Sequence, residues 1–539
     1  MIAKDLDNLF AKPFIAKSVP FLFFLIGIWY FCIRILGVNF EYIPGDLGDS
    51  RYINYLLEHG YQWIAGTTPS FWTAGFMYPF ENSLALSDNM LGTLPMYAVW
   101  RFFGCSQETS YQLWWVTVCA LNYWSAYFVL KKWFNRWELA VIGAWIFAFT
   151  VFNLGQLNYM QMIIRFMVPV VIYASIRLVD TGSWKFLALY SLGIVYQFYS
   201  VIYTGFFLMY FSLLLIFVYV VLTKKWTFFL PLFHRKQVIY SVTVIIVATT
   251  ALGWLMLPYY EISKLFGLRY YDEVKWYVPV TLSYLYVHPA SHAWHSLSIY
   301  CQPNVPSFWI HFAFPGMIPL LAFVAFPFIV LFSKIKRLPT SRLMMATGIT
   351  ALLILLLYTR TYSGYTLYAL LFKLPGMNSM RVLSRFMNVE LFLFIVLLLL
   401  MLKKLNRKWL LILPVLMLLD NSFVPERVIR EKKEQIVARR IAVIKEVKAQ
   451  LDKNYSAFAI VGGHEEIYLM QLDAMLASNH VHLPTVNGYS SNCPPELGEF
   501  YLQMNNAGLQ KWLELNNIDT SKVLIIERKH QSQNSINTE

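Results

Sequence analysis

The sequence predicts an α-helical polytopic membrane protein with about eleven transmembrane helices and a small C-terminal α/β domain outside the membrane. Three observations carry this prediction. Hydrophobic residues make up 58% of the 539 and charged residues only 14%, against roughly 45–50% and about 25% in soluble globular chains. Apolar runs of a length that crosses a bilayer, about 17–25 residues, recur as far as Phe423. From Pro425 onward the composition becomes mixed and charged. With 18% aromatics and five cysteines, disordered, collagen-like and disulfide-scaffold classes are excluded.

The spans are read at residues 19–38, 111–130, 139–155, 161–179, 184–200, 202–223, 238–258, 309–332, 344–358, 386–402 and 409–423. The first run is long enough to span and precedes no small-residue cleavage site, so it reads as a helix rather than a leader. The formal charge of +14 need not mean nucleic acid, and none is expected as a partner. Residues 426–539 carry thirteen basic and fourteen acidic side chains, so the excess lies in the apolar part. It sits in short loops such as Lys131-Lys132, Lys224-Lys225, Lys334–Arg337 and Lys403-Lys404, the bias of cytoplasmic loops. With the N-terminus inside, these clusters fall inside. The loops at 41–109, 259–308 and 359–385 and the C-terminal segment fall outside. The scheme holds only if 91–103 does not cross, and that stretch is expected to be a re-entrant or interfacial helix.

Two domains follow, a membrane domain over 1–424 with a long first outer loop at 39–109, and an extracytoplasmic α/β domain over 425–539. The second reads as a helix at 436–451, a strand at 457–461, a helix at 467–478, a strand or turn at 484–488, a helix at 509–516 and a strand at 523–526. A polar tail after Arg528 is expected to fray. The cysteines lack zinc or redox spacing. A Cys301–Cys493 bridge is conceivable if both lie outside.

The first outer loop begins Tyr42-Ile43-Pro44-Gly45-Asp46-Leu47-Gly48-Asp49-Ser50-Arg51-Tyr52. Glycines around Asp46 and Asp49 permit an unusual backbone path, and a carboxylate near apolar surface can serve as general base. The alternative is a turn capping a helix that begins at Ser50 or Arg51. Asp88 precedes the 91–103 stretch as its N-cap or as a site residue. Arg381 and Arg385, spaced i, i+4 at the outer mouth of a span, suit bidentate phosphate holding or lipid headgroups. Arg34 and Arg165 lie within spans, where a charge is costly and points to function unless it snorkels; Arg165 could face the cavity of Arg381 and Arg385. His288, His292 and His295 have metal-like spacing, but Pro289 interrupts the helix that would align them. Walker, zincin and Gly-x-Ser-x-Gly motifs are absent.

The Gly45–Tyr52 segment, Tyr78-Pro79 with Ser87-Asp88-Asn89, and Leu374-Pro375-Gly376 with Arg381 and Arg385 together resemble a group of bacterial multi-spanning proteins in the GT-C glycosyltransferase superfamily. Gln471-Leu472-Asp473 and Pro484–Ser490 resemble the extracytoplasmic domain of the same group. The resemblance implies a GT-C-like fold in the bacterial cytoplasmic membrane. It implies an inverting enzyme that moves a sugar from a polyprenyl-phosphate donor to a glycan, lipid or polymer acceptor of the cell envelope. By the same resemblance Asp49, with Asp46 as rival, is the base; Asp88, Arg165, Arg381 and Arg385 bind substrate. Ser50 stands where many relatives have Glu, a departure that bears on any divalent metal ion, and no other cofactor is implied. Two other readings stay open, a transporter or flippase of lipid-linked saccharide and an inactive relative that scaffolds envelope assembly.

Overall fold

The computed structural model describes residues 13–528 apart from Arg235, Asn406, Lys453 and His464. The tail expected to fray after Arg528 lies outside the described residues. The chain divides into two compact units, one of residues 1–35, 115–254 and 268–428, the other of 36–114, 255–267 and 429–539.

Among the described residues six helices are long and apolar enough to cross a membrane: Pro13–Leu36, Gln107–Phe134, Ile202–Thr223, Val238–Phe266, Met317–Ile335 and Leu383–Leu402. The bent pair Trp137–Phe149 and Val151–Ile163 makes seven if it is one span. The other segments read as spans are helical but shorter, at Met167–Thr181, Trp184–Ser200, Arg342–Leu357 and Leu413–Asp420. Within the first unit Leu383–Leu402 is central, with 83% of its apolar window buried. A helix that is apolar all round belongs inside a bundle, and this one packs against helices Met317–Ile335, Arg342–Leu357 and Trp137–Phe149.

The expected continuous helices at 139–155 and 161–179 are each interrupted, at Thr150 and at Ile164–Phe166. The breaks persist because side chains satisfy the freed backbone groups, which lipid would not. Asn421 Oδ1 accepts from Val151 N at 2.8 Å. Asn122 donates to the Ile163 carbonyl at 2.8 Å and Gln197 to the Ile164 carbonyl at 2.9 Å. Asp420 caps Met317–Ile335, accepting from Met317 N at 2.8 Å and Ile318 N at 3.1 Å. Arg34 is a brace, donating to the Phe423 carbonyl at 3.0 Å and lying over the Tyr30 and Phe423 rings.

In the second unit β1 (Tyr42–Pro44) pairs antiparallel with β2 (Arg430–Lys432), Ile43 opposite Glu431. β3 (Ala457–Gly462) pairs parallel with β4 (Val523–Arg528), Ala457 opposite Val523. Helices Lys433–Ala449 and Ile467–Val481 pack together, and Val447, Phe458, Ile460, Met470, Ala474 and Ile526 form a core. The stretch at 484–488 makes a single parallel bridge, Phe458 to Thr485. Residues of the first outer loop complete this unit: Thr485 N donates to the Gly75 carbonyl and Met77 N to the Asn487 carbonyl, each at 3.0 Å. The 91–103 stretch holds a nine-residue helix, Leu94–Phe102. At a rise of about 1.5 Å per residue it is far too short to cross. Glu58 secures it, accepting from Arg101 Nε and Nη2 at 2.9 Å each and from the Tyr97 hydroxyl at 2.6 Å.

Candidate functional site

The acidic loop follows from its local sequence. β1 ends at Pro44, and Gly45 takes φ +89, a left-handed conformation that glycine adopts without strain. Gly45 N donates to the Ile429 carbonyl at 2.9 Å. Asp46 then turns back: its Oδ1 accepts from Gly48 N at 3.0 Å. Helix Asp49–Ile64 starts at Asp49, with Gly48 as N-cap, and the Ser50 hydroxyl donates to the Pro44 carbonyl. Of the two predicted carboxylates, Asp46 therefore caps the turn and Asp49 opens the helix. Burial raises the Asp46 carboxyl above its ordinary range, while backbone N–H groups of Gly48, Ser50 and Asp49 pull the other way.

Asp49 is met by Tyr489, whose hydroxyl donates to Asp49 Oδ1 at 2.9 Å. Burial, then the Asp49 charge, pushes the Tyr489 phenol well above its ordinary range, so it stays protonated and donating. Tyr52 packs edge-on against Tyr489 at 5.5 Å and Tyr468 tilts towards it at 6.2 Å. A Cβ on Gly48 would lie 3.4 Å from both the Tyr468 ring and the Tyr489 hydroxyl, in ordinary contact with them. Tyr489 is aimed by its own neighbours: Gln471 Oε1 accepts from Gly488 N and Asn487 Nδ2 at 3.0 Å. Tyr489 lies within the Pro484–Ser490 segment, yet nothing local in the sequence ties it to a residue 440 positions away.

Arg51, next to these carboxylates, serves the scaffold. It is 2% exposed and meets Asp473 at 2.5 Å. Asp473 also holds Arg439 at 2.6 Å. Asp88 is buried and lies within electrostatic reach of Tyr259, whose hydroxyl donates to the Ser87 carbonyl at 2.8 Å. The expected N-cap role of Asp88 is corrected: the helix begins at Leu94 with Thr93 at its N-cap, because residues 88–90 are irregular and 91–93 form a turn.

In the first unit, Arg165 is fully buried at the second helix break. It donates to Asn388 Oδ1 at 2.9 Å, Asn153 Oδ1 at 2.8 Å and the Phe147 carbonyl at 2.6 Å. Arg381 and Arg385 do not share a helical turn as expected. Val382 is extended and only Leu383–Phe386 winds, as a 3-10 turn. Both arginines instead lean on tyrosines. The Arg385 guanidinium lies 4.5 Å from the Tyr159 ring and 4.9 Å from Tyr203. Arg381 N donates to the Tyr203 hydroxyl at 2.9 Å, and its guanidinium lies 5.4 Å from Tyr277. Neither is ion-paired among the described residues. Guanidinium planes held on aromatic faces keep their in-plane donors available for an anion.

His288, His292 and His295 do not gather round a metal. His288 is buried and held near pKa 4 by that burial, so it is neutral; His295 bonds the Pro289 carbonyl at 2.9 Å. Among the described residues no group of three or more His, Cys, Asp or Glu side chains has metal-holding geometry. All five cysteines are free thiols, and the Cys301–Cys493 bridge is not formed.

No family model and no curated protein matches the chain. Among solved structures it is similar to the oligosaccharyltransferase of Archaeoglobus fulgidus. For the apo form, identity is 11% and the TM-score 0.48, over 88% of this chain and 65% of that one. For the form with zinc and sulfate the values are 12%, 0.47, 87% and 62%. For that organism's oligosaccharyltransferase AglB with an inhibitory peptide and a dolichol-phosphate they are 10%, 0.49, 88% and 64%. The chain spans less than two thirds of the length of each of these structures.

Proposed function

We propose that this chain is a membrane glycosyltransferase that moves a sugar from a polyprenyl-phosphate donor to a cell-envelope acceptor on the extracytoplasmic face. The observation that carries the reading is the Tyr489–Asp49 contact, a carboxylate held in orientation at the start of a helix by a half-buried phenol donor. In the proposed reaction Asp49 takes the proton of the acceptor hydroxyl as that oxygen attacks the anomeric carbon. The bond from that carbon to the phosphate oxygen breaks, its electron pair leaves with the phosphate, and the configuration inverts. Arg381 and Arg385 stabilise the charge that develops on the leaving phosphate. Asp46, occupied with the Gly48 turn, orients the helix start, and Arg165 acts as a brace. Asp88 contributes to acceptor binding beside Tyr259.

The test is transfer from a polyprenyl-phosphate sugar in reconstituted membranes. A positioned general base contributes about 10²–10⁴ in rate, so Asp49→Asn is expected to lose at least about a hundredfold and Asp46→Asn much less. Normal transfer by Asp49→Asn would remove the base assignment.

A second reading, a transporter or flippase of lipid-linked saccharide, draws on a feature the sequence hid. The Trp137–Phe149 and Val151–Ile163 helices bend by 52°, and Glu390 sits fully buried in a span with both carboxyl oxygens unpaired. Broken helices and intramembrane charges are features of transporters. Saccharide movement across proteoliposomes with the sugar linkage unchanged would favour this reading.

A further inference from the structure

An open cavity of about 310 Å³, lined by Glu273, Trp276, Tyr277 and Pro306, lies in the first unit. Its size is at the lower end of ligand clefts, roughly 300–1,000 Å³. Two guanidinium groups back its aromatic walls. Arg381 lies 5.4 Å from the Tyr277 ring and Arg360 lies 4.9 Å from the Trp276 ring. Arg360 is only 2% exposed, and its Nη1 donates to the Thr361 carbonyl at 3.1 Å. Its Nε and Nη2 are buried without a partner among the described residues.

A buried guanidinium with unmade hydrogen bonds costs stability, and two features show what would satisfy it. The first is charge. Glu273 is taken by Arg269 at 3.0 Å, and Asp272 by Lys275 at 2.7 Å, so Arg360 and Arg381 remain as uncompensated positive groups. The second is the cover. Trp276, whose ring lies over Arg360, is itself 41% exposed, so a rotation of one partly exposed indole opens the arginine to the cavity. Tyr277 then offers a flat apolar face beside the cations.

We propose that this cavity is a subsite for a saccharide that bears its own anionic group, a carboxylate or phosphate on the sugar. The ring stacks on Trp276 and Tyr277, and the anion satisfies Arg360. This deepens the glycosyl-transfer reading by naming the substrate class, and it rests on that reading only for the saccharide's being a substrate.

The experiment is calorimetric titration of the full chain in detergent with glucose 6-phosphate, glucuronate, glucose and inorganic phosphate. The two charged sugars are expected to bind at least tenfold more tightly than glucose or inorganic phosphate. Arg360→Gln is expected to bring glucose 6-phosphate down to the level of glucose, and Trp276→Ala down to that of inorganic phosphate. Because Arg360 is buried, thermal melting accompanies each variant, and the partly exposed Trp276 provides an arm free of folding effects. Equal affinity for glucose and glucose 6-phosphate overturns the proposal. So does inorganic phosphate binding as well as the sugar phosphate, or Trp276→Ala staying within twofold of the native chain. Asp49→Asn is expected to keep this binding, so loss of transfer and loss of the subsite are read separately.

Discussion

Tyr489 donates its phenolic hydrogen to Asp49 at 2.9 Å, joining two residues 440 positions apart. The bond sets the surroundings of Asp49 apart from those of Asp46, three positions earlier. Asp46 is spent on its own turn, while Asp49 is steered by a side chain brought from the C-terminal part of the chain.

Tyr489→Phe removes that steering and leaves the ring packing with Tyr52 and Tyr468 in place. A hydrogen bond to a charged group contributes about 1.5–3 kcal/mol, so the sugar-transfer rate is expected to fall about tenfold or more. The fall should appear in kcat with KM little changed, as initial rates over a donor series will show.

The Arg51–Asp473 pair is expected to control stability rather than chemistry. Both side chains are at most 2% exposed, and removing one partner of a buried pair costs about 3–5 kcal/mol. Asp473→Asn should lower the melting midpoint more than Arg51→Met, because Asp473 also holds Arg439. The two midpoints in detergent check this order.

His480 makes the second unit acid-sensitive. Burial, then the Arg440 charge, holds its pKa near 4, below the ordinary value of 6.5. It is neutral in the fold, where Arg440 Nη1 lies 3.0 Å from its Nε2. A folded pKa below the unfolded one means that the unfolded chain binds more protons. This contribution is therefore complete above pH 6.5 and is lost as pH falls towards 4. Asp46, raised by burial, acts in the opposite sense, favouring the fold as pH falls towards 3.8. The melting midpoint should drop between pH 6.5 and 4.5, and His480→Gln should flatten that slope.

Arg165→Lys is not a conservative change here. One planar fork reaches Asn388, Asn153 and the Phe147 carbonyl at once, and a lysine ammonium cannot span the three. The variant is expected to accumulate poorly in membranes. Quantifying folded protein in the membrane fraction, with Arg385→Lys as the comparison expected to fold normally, tests this.

That this is a helical multi-pass membrane protein is legible in the sequence alone. Hydrophobic run length and the short continuous apolar runs Ala457–Val461 and Val523–Ile526 are local properties of the chain. The sequence also marked Asp46, Asp49, Arg381 and Arg385 as unusual, because glycine-flanked acids and arginines four apart stand out in an apolar context. Tertiary structure decided what those residues touch. Thr150 and Arg165 break helices that hydropathy reads as continuous, since the interruptions are stabilised by Asn421, Asn122 and Gln197 from distant segments. The tyrosines under Arg381 and Arg385, the phenol on Asp49 and the indole over Arg360 are likewise long-range partners. Contacts between residues hundreds of positions apart leave no periodicity behind, so packing alone assigns them.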